Sequence, residues 1–367
     1  MPPERQFKRD VCILLMVLAS MAMLSGCRYL ATQSDERVTL EPVAFSERQW
    51  TGLAVSREGR LFVNYPRWSD KVPVSVAELI DGAPVPYPDL HLNNWSPGKN
   101  PAEQLVCVQA VYVDDKNRLW ILDPANPQFE GVIPGGPKLL QVDLATDTVT
   151  RIFRFNIDIA PANSYLNDVR IDTRREFAYI TDSAGSALVA LDLKTGNARR
   201  FMDDHPSTAS EDVVLTIGGK PWMPGGVAPH VHADGIAYDS RGDMLYYQAL
   251  TGRTMYRIPA SILRARDLSD KTIEAHVGMV GRTGASDGLI FGPDGKIYIS
   301  ALEHDAILRT TPHGAVETVI RDPAIAWPDS FSFGPDGALY FTTSRIHEST
   351  SPAGKYGIYR INLRLEP

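Results

Sequence analysis

Between Ser286 and Ser300 the chain reads SDGLIFGPDGKIYIS, with apolar positions alternating with polar or small ones on both sides of a Gly-Pro-Asp-Gly centre. Alternation of period two predicts half-buried strands. Pro293, between Gly292 and Gly295, supplies the backbone angles that a tight reversal needs. Leu289 and Phe291 share one face of the first strand, and Ile297 and Ile299 share a face of the second. One hairpin cannot bury its own apolar face, so this one requires copies.

The pattern returns as TGLAVSREGRLFV from Thr51, QAVYVDDKNRLWI from Gln109 and NDVRIDTRREFAYI from Asn167. It returns again as DGIAYDSRGDMLYY from Asp234, DGLIFGPDGKIYI from Asp287 and DSFSFGPDGALYF from Asp329. Six β-rich copies along one chain predict an all-β fold, a six-bladed β-propeller. Each copy gives the two inner strands of a blade, and the residues between copies give outer strands and loops. The last blade shows three strands, at 329–333, 338–343 and 356–361. Val38–Phe45 alternates like a strand and precedes the first copy, so it is expected to close the ring by pairing into that blade and covering its edge. Thr254–Leu263 is expected to end in a short helix. Two segments rich in Pro, Asn, Gly and His, residues 81–103 and 203–232, are candidate rim loops, because long irregular loops in compact domains often carry function.

The front end has a different character. Arg5, Lys8 and Arg9 precede an apolar run from Val11 to Leu24, too short for a comfortable membrane span. The run ends in Leu24-Ser25-Gly26-Cys27, which resembles a bacterial lipobox. Residues 1–26 are therefore expected to be a lipoprotein signal peptide, 27–37 a tether, and 38–367 the propeller. Cys27 is the expected lipidation site, which makes a membrane a partner and the location extracytoplasmic. Attachment to an outer membrane is expected where the cell has one, because Arg28 rather than Asp follows the cysteine; secretion is the alternative. With Cys12 removed and Cys27 acylated, only Cys107 remains, so no intrachain disulfide is expected. A net charge of −7 without a Lys/Arg block argues against nucleic-acid binding. No G-x-S-x-G, H-E-x-x-H, P-loop or dinucleotide fingerprint occurs, which argues against serine-nucleophile, zinc-protease and nucleotide chemistry.

Several stretches are similar to the major royal jelly/yellow protein family in its bacterial, dopachrome-conversion-related branch. They are VYVDDKNRLWILD from Val111, PKLLQVDL from Pro137 and SYLNDVRIDTRREFAYITD from Ser164. DGIAYDSRGDMLYYQALTGRTMYRIPASIL from Asp234 and WPDSFSFGPDGALYFTT from Trp327 complete the set. The resemblance spans about Phe45–Leu363. It implies a six-bladed propeller outside the cytoplasm with a ligand site at one mouth of the central channel. It does not fix an activity, since the family includes pigment-pathway enzymes, amine binders and storage or signalling proteins.

The first residues of the six innermost strands, Thr51, Gln109, Asn167, Asp234, Asp287 and Asp329, are expected to face that mouth, with Asp168 beside them. Converging carboxylates must share protons, find donors or bind a cation. Oxygen ligands suit Ca²⁺, and gluconolactonase and paraoxonase propellers, which this chain distantly resembles, carry such an ion. Asn167, Asp234 and Asp287 are the corresponding candidates here, although Thr51 stands where those chains have Glu. Asp329 is expected to be structural. His232 shares a face with Asp234 in an extended chain, and the two form the candidate catalytic pair. Glu303 is a rim candidate, with His304, Arg345 and His347 of the same grade. Trp50, Trp95 and Trp222 could wall a planar ligand, whereas Trp327 is expected in the core. Three readings follow: an isomerase- or lactonase-like enzyme acting on a small cyclic or aromatic molecule, a non-catalytic binder of an amine or catechol, and a surface scaffold for an unknown protein partner.

Overall fold

The computed structural model describes residues 38–348 and 354–363. The expected signal peptide, Cys27 and the whole tether lie outside the described residues. Residues 39–367 form one compact unit.

Six four-stranded antiparallel sheets follow one another along the chain. Blade one comprises Leu53–Val55, Leu61–Asn64, Val76–Ile80 and Ala83–Pro86, and blade two comprises Ala110–Val113, Arg118–Asp123, Lys138–Asp143 and Thr148–Arg154. Blade three comprises Leu166–Asp172, Phe177–Asp182, Ala187–Asp192 and Ala198–Phe201. Blade four comprises Ala233–Asp239, Met244–Ala249, Thr254–Pro259 and Gly278–Arg282. Blade five comprises Ser286–Phe291, Ile297–Ala301, Ala306–Thr310 and Val316–Arg321. Blade six comprises Pro328–Phe333, Leu339–Thr343 and Tyr356–Ile361, and its outer strand is Leu40–Ser46 from the other end of the chain. The closing register runs from Leu40 opposite Ile361 to Ser46 opposite Tyr356.

Two outer strands escaped the sequence pattern. Ala83–Pro86 lies inside the presumed loop 81–103, and Gly278–Arg282 follows the short helices Ala260–Arg264 and Asp270–Glu274. Apolar side chains fill the spaces between neighbouring blades. Trp120, Leu139 and Phe153 of blade two meet Ile171, Ile180 and Val189 of blade three, and similar clusters join blades one and two, three and four, four and five, and six and one.

Four innermost strands open with the same irregularity. Pairing jumps from Leu166 to Val169, from Ala233 to Ile236, from Ser286 to Leu289 and from Pro328 to Phe331. The residues inside the jumps are Asn167-Asp168, Asp234-Gly235, Asp287-Gly288 and Asp329-Ser330, so each bulge re-aims a polar side chain toward the axis. The neighbouring blade presses into the bulge: a Cβ on Gly288 would lie 1.9 Å from the Asp329 carbonyl oxygen, and one on Gly235 would lie 2.3 Å from that of Asp287.

Side chains from the second strands satisfy the displaced backbone. Thr181 Oγ1 donates to the Asp234 carbonyl (2.6 Å) and accepts from the Asp168 amide (3.1 Å). Thr342 Oγ1 donates to the Thr51 carbonyl (2.6 Å) and accepts from the Ser330 amide (3.1 Å). Asn64 Nδ2 donates to the carbonyls of Val108 (3.0 Å) and Gln109 (3.1 Å), and Gln248 Nε2 donates to that of Gly284 (2.6 Å). Ser300 Oγ accepts from the amides of Asp287 (3.0 Å) and Gly288 (2.8 Å).

Gly288→Ala is expected to lower stability in urea unfolding by about 2–4 kcal/mol, because backbone and not a flexible side chain must move aside. Gly278→Ala, whose new Cβ would meet only the Arg257 side chain at 3.5 Å, is expected to cost nothing measurable.

Candidate functional site

The mouth at which the innermost strands begin holds a cavity of about 640 Å³. Asn167, Asp234 and Asp287 form its polar floor, and Gln109 and Ser183 line it beside them. Asn167 Nδ2 donates to Asp234 Oδ2 (2.7 Å) and to Ser183 Oγ (3.0 Å). The Asp234 and Asp287 carboxyls are close enough for each to shift the proton affinity of the other, and Asp287 Oδ2 accepts from Trp327 Nε1 at 2.7 Å. Burial first, then the neighbouring Asp287, Asp168 and Asp329 charges, hold the Asp234 carboxyl well above the carboxylate range. Burial also pushes Asp287 up, to about 7, against the opposing pull of the Trp327 hydrogen bond. Both carboxyls at the bottom of this open pocket are thus shifted toward holding their protons.

Aromatic rings form much of the wall. Tyr165 donates to Gln109 Oε1 (2.9 Å) and accepts from Trp68 Nε1 (2.7 Å), and its ring lies 4.8 Å from that of Phe129. Phe129 in turn lies 5.7 Å from Trp68. A second group joins Trp222 to Trp327 at 4.8 Å, with His347 stacked on Trp327 at 5.7 Å. Phe129 is 57% exposed. It follows Gln128 in the left-handed region, with φ of 59° and 57°, and Trp327 has φ of 55°. Bulky residues held in that region are strained, and such strain concentrates at functional sites.

The remaining candidates take other places. Thr51 is buried below the mouth, where it accepts from Asn64 Nδ2 (2.9 Å). Asp168 and Asp329 lie behind the floor and do not line the cavity. Asp329 is buried, and burial and the Asp287 charge push its carboxyl well up against the pull of the Ser344 and Ser330 hydroxyls. Asp168 sits 3.6 Å from Arg170, whose guanidinium reaches the Leu289 carbonyl (2.6 Å) and lies 5.3 Å from the Tyr112 ring centre. Arg170 and Tyr112 line a second, smaller cavity at the opposite mouth, so this layer separates the two.

His232 does not line the pocket. Its Nδ1 accepts from the Ser210 amide at 2.9 Å, and burial lowers its pKa, so the ring holds the 203–232 loop as a neutral acceptor. Glu303 pairs with Arg253 at 2.7 Å and accepts from the Thr216 amide, fastening the same loop. Arg345 pairs with Glu348 at 3.0 Å. Trp50 and Trp95 are core residues, and Trp327 is both core and cavity wall.

The candidate calcium ligands Asn167, Asp234 and Asp287 stand together on the floor of the cavity. Asn167 offers Asp234 its N–H, and Asp287 accepts from Trp327 Nε1. Among the described residues no group of three or more His, Cys, Asp and Glu side chains is arranged to hold a metal ion. Tyr165, Trp68, Phe129, Ser183 and Arg170 were not singled out from sequence. An Arg in the alternating NDVRID strand was the one available signal, since a cation on a channel-facing strand needs a carboxylate partner.

The architecture is that of a six-bladed propeller with a ligand-sized pocket at one channel mouth. The sequence model of the major royal jelly protein family matches residues 106–343, and the chain belongs to that family. A yellow-related salivary protein of Lutzomyia longipalpis is 32% identical over 217 residues, covering 53% of this chain and 50% of its own. Protein yellow of Drosophila melanogaster is 28% identical over 156 residues, covering 39% of this chain and 28% of its own. The match thus spans half or less of these relatives. Among solved structures, a gluconolactonase of Xanthomonas campestris has a TM-score of 0.53 at 14% identity, covering 89% of this chain and 90% of its own. A luciferin-regenerating enzyme has a TM-score of 0.54 at 12% identity, covering 89% and 96%. At this identity the shared property is the fold.

Raised carboxyl pKa values mean that the folded state binds more protons than the unfolded chain between the ordinary carboxylate range and about 7. Their contribution to stability is full below that range and is lost as pH rises through it. His232 and His347, both lowered by burial, act with the opposite sign and cancel when variants are compared. The melting temperature of Asp287→Asn minus that of the wild type is expected to rise between about pH 5 and pH 8. A flat difference would remove the assignment of a raised carboxyl.

Proposed function

We propose that this propeller binds a small cyclic or aromatic molecule in the mouth pocket and converts it by proton transfer, as an isomerase- or lactonase-like enzyme. The observation that carries this reading is the neighbouring Asp234 and Asp287 carboxyls, both shifted toward their protonated forms, on the floor of an aromatic-walled cavity. A carboxyl that keeps its proton near neutrality can donate it to a carbonyl or ring oxygen, while its ionised partner accepts one elsewhere on the same substrate. Asn167 orients Asp234 and Trp327 orients Asp287, so the proton has a defined donor and acceptor. His232 takes no part in this reading because its ring is committed to Ser210.

Dopachrome-type quinones and sugar lactones are the two substrate sets to screen, the first from the family and the second from the gluconolactonase that shares the fold. Turnover of a member of either set is expected to fall at least ~100-fold in Asp234→Asn, with the melting temperature kept. Unchanged turnover in that variant would sink the acid–base assignment, and saturable binding without product in the wild type would leave a binding protein. Elemental analysis and chelator-dependent melting test the ion: no chelator effect is expected, and stoichiometric calcium would reassign the floor as a metal site.

The same proposal places the protein outside the cytoplasm on a lipid anchor at Cys27, supported by the Leu24–Cys27 motif and the preceding apolar run. Cys27→Ala is expected to move the protein from the membrane fraction to the soluble or unprocessed pool; retention in membranes would overturn the anchor.

A further inference from the structure

We infer that the pocket selects an anion: a flat apolar body carrying one carboxylate-sized negative group, with the body between the aromatic groups and the charge held at the rim by Arg48 and Lys71. The inference rests on the reading of this cavity as the ligand site and specifies what enters it.

The argument begins with which charges at the mouth are free. Arg48 and Lys71 line the cavity with exposed side chains, and among the described residues neither guanidinium nor ammonium is engaged by a carboxylate. The acids adjoining them in the chain are otherwise occupied. Glu47 pairs with Lys355 at 2.7 Å, and Asp70 accepts from Gln128 at 3.0 Å. Among the described residues the rim thus presents two cations that no carboxylate pairs with, on a chain whose net charge is −7. A local field opposite in sign to that of the whole molecule selects between ligands by charge.

The floor does not counter this field with four negative charges. Asp168, Asp234, Asp287 and Asp329 act on one another through their charges, only Asp168 lies near a guanidinium (Arg170, 3.6 Å), and burial favours the neutral form of each. Carboxyls that hold protons offer hydrogen bonds to a neutral polar atom and little attraction to an ammonium group. An ammonium on the floor would have to shed its water for partners that are mostly uncharged, a poor exchange. A carboxylate at the rim keeps part of its water and gains two cations. Between rim and floor, Trp68, Phe129, Tyr165, Trp222 and Trp327 supply ring faces and edges suited to a planar body.

The experiment compares three probes that share one ring: indole-3-acetate, indole and tryptamine, titrated calorimetrically into the full-length protein at low salt. Indole-3-acetate is expected to bind about tenfold more tightly than tryptamine, with indole between them, and 0.5 M salt should erase most of the difference. In the Arg48→Gln/Lys71→Gln double variant the three affinities should converge, with that for indole unchanged. Both positions are exposed, so folding should be preserved. Tryptamine binding as tightly as indole-3-acetate, or an anion advantage that survives the double variant, would overturn the inference while leaving the pocket in place. Failure of all three probes to bind would remove the pocket reading and this inference with it.

Discussion

The architecture depends on how backbone is satisfied where the innermost strands meet the channel. Where the innermost strands begin, several carbonyls lie against the neighbouring blade, among them those of Asp234, Asp287 and Asp329. A buried carbonyl without a partner costs about 1–3 kcal/mol, so the ring requires a donor at each such crossing. Thr181, Thr342, Asn64 and Gln248 provide donors across blade boundaries, and Ser300 accepts the displaced amides of its own blade. The glycines that follow Asp234 and Asp287 are a consequence of the same crossing, since the neighbouring backbone occupies the place of their Cβ atoms.

The acidic axis follows from that constraint. A bulge that turns backbone sideways also turns its side chain toward the centre, and repetition of the motif assembles several carboxyls where one would be unremarkable. The chain arranges them in depth. Asp234 and Asp287 meet the pocket, Asp168 and Asp329 stand behind, and Arg170 over the Tyr112 ring closes the passage to the far mouth. The cluster carries less charge than its composition implies, because desolvation and mutual repulsion retain protons on it. In the proposed selection, Arg48 and Lys71, unpaired with any carboxylate among the described residues, weigh more than the acids beneath them.

Much of the fold could be read from the alternation of apolar positions, because both inner strands of every blade bury one face against a neighbour. The outer strands were less visible. Ala83–Pro86 carries two prolines, tolerable only because it is an edge, and Gly278–Arg282 is delayed by two helical turns. At the site, the repeat correctly picked the positions that open the inner strands but not their depth. Thr51 and Asp287 are equivalent in the repeat, yet one is buried in a backbone junction and the other faces the cavity. His232 was expected beside Asp234 from two-residue spacing, but pairing breaks between Ala233 and Ile236, and Ser210 claims the imidazole. The aromatic residues of the wall come largely from loops, where no periodicity announces them.

The strand Leu40–Ser46 is among the first parts of the propeller to be synthesised, and its partner Tyr356–Ile361 is among the last. Throughout translation of the five intervening blades that early strand has no ladder to join. It must wait as an extended, partly apolar ribbon able to pair with any open sheet edge it meets. The final closing step then joins residues about three hundred positions apart, a slow kind of contact to form. A ring sealed in this way completes its cooperative structure only after nearly the whole chain has been made.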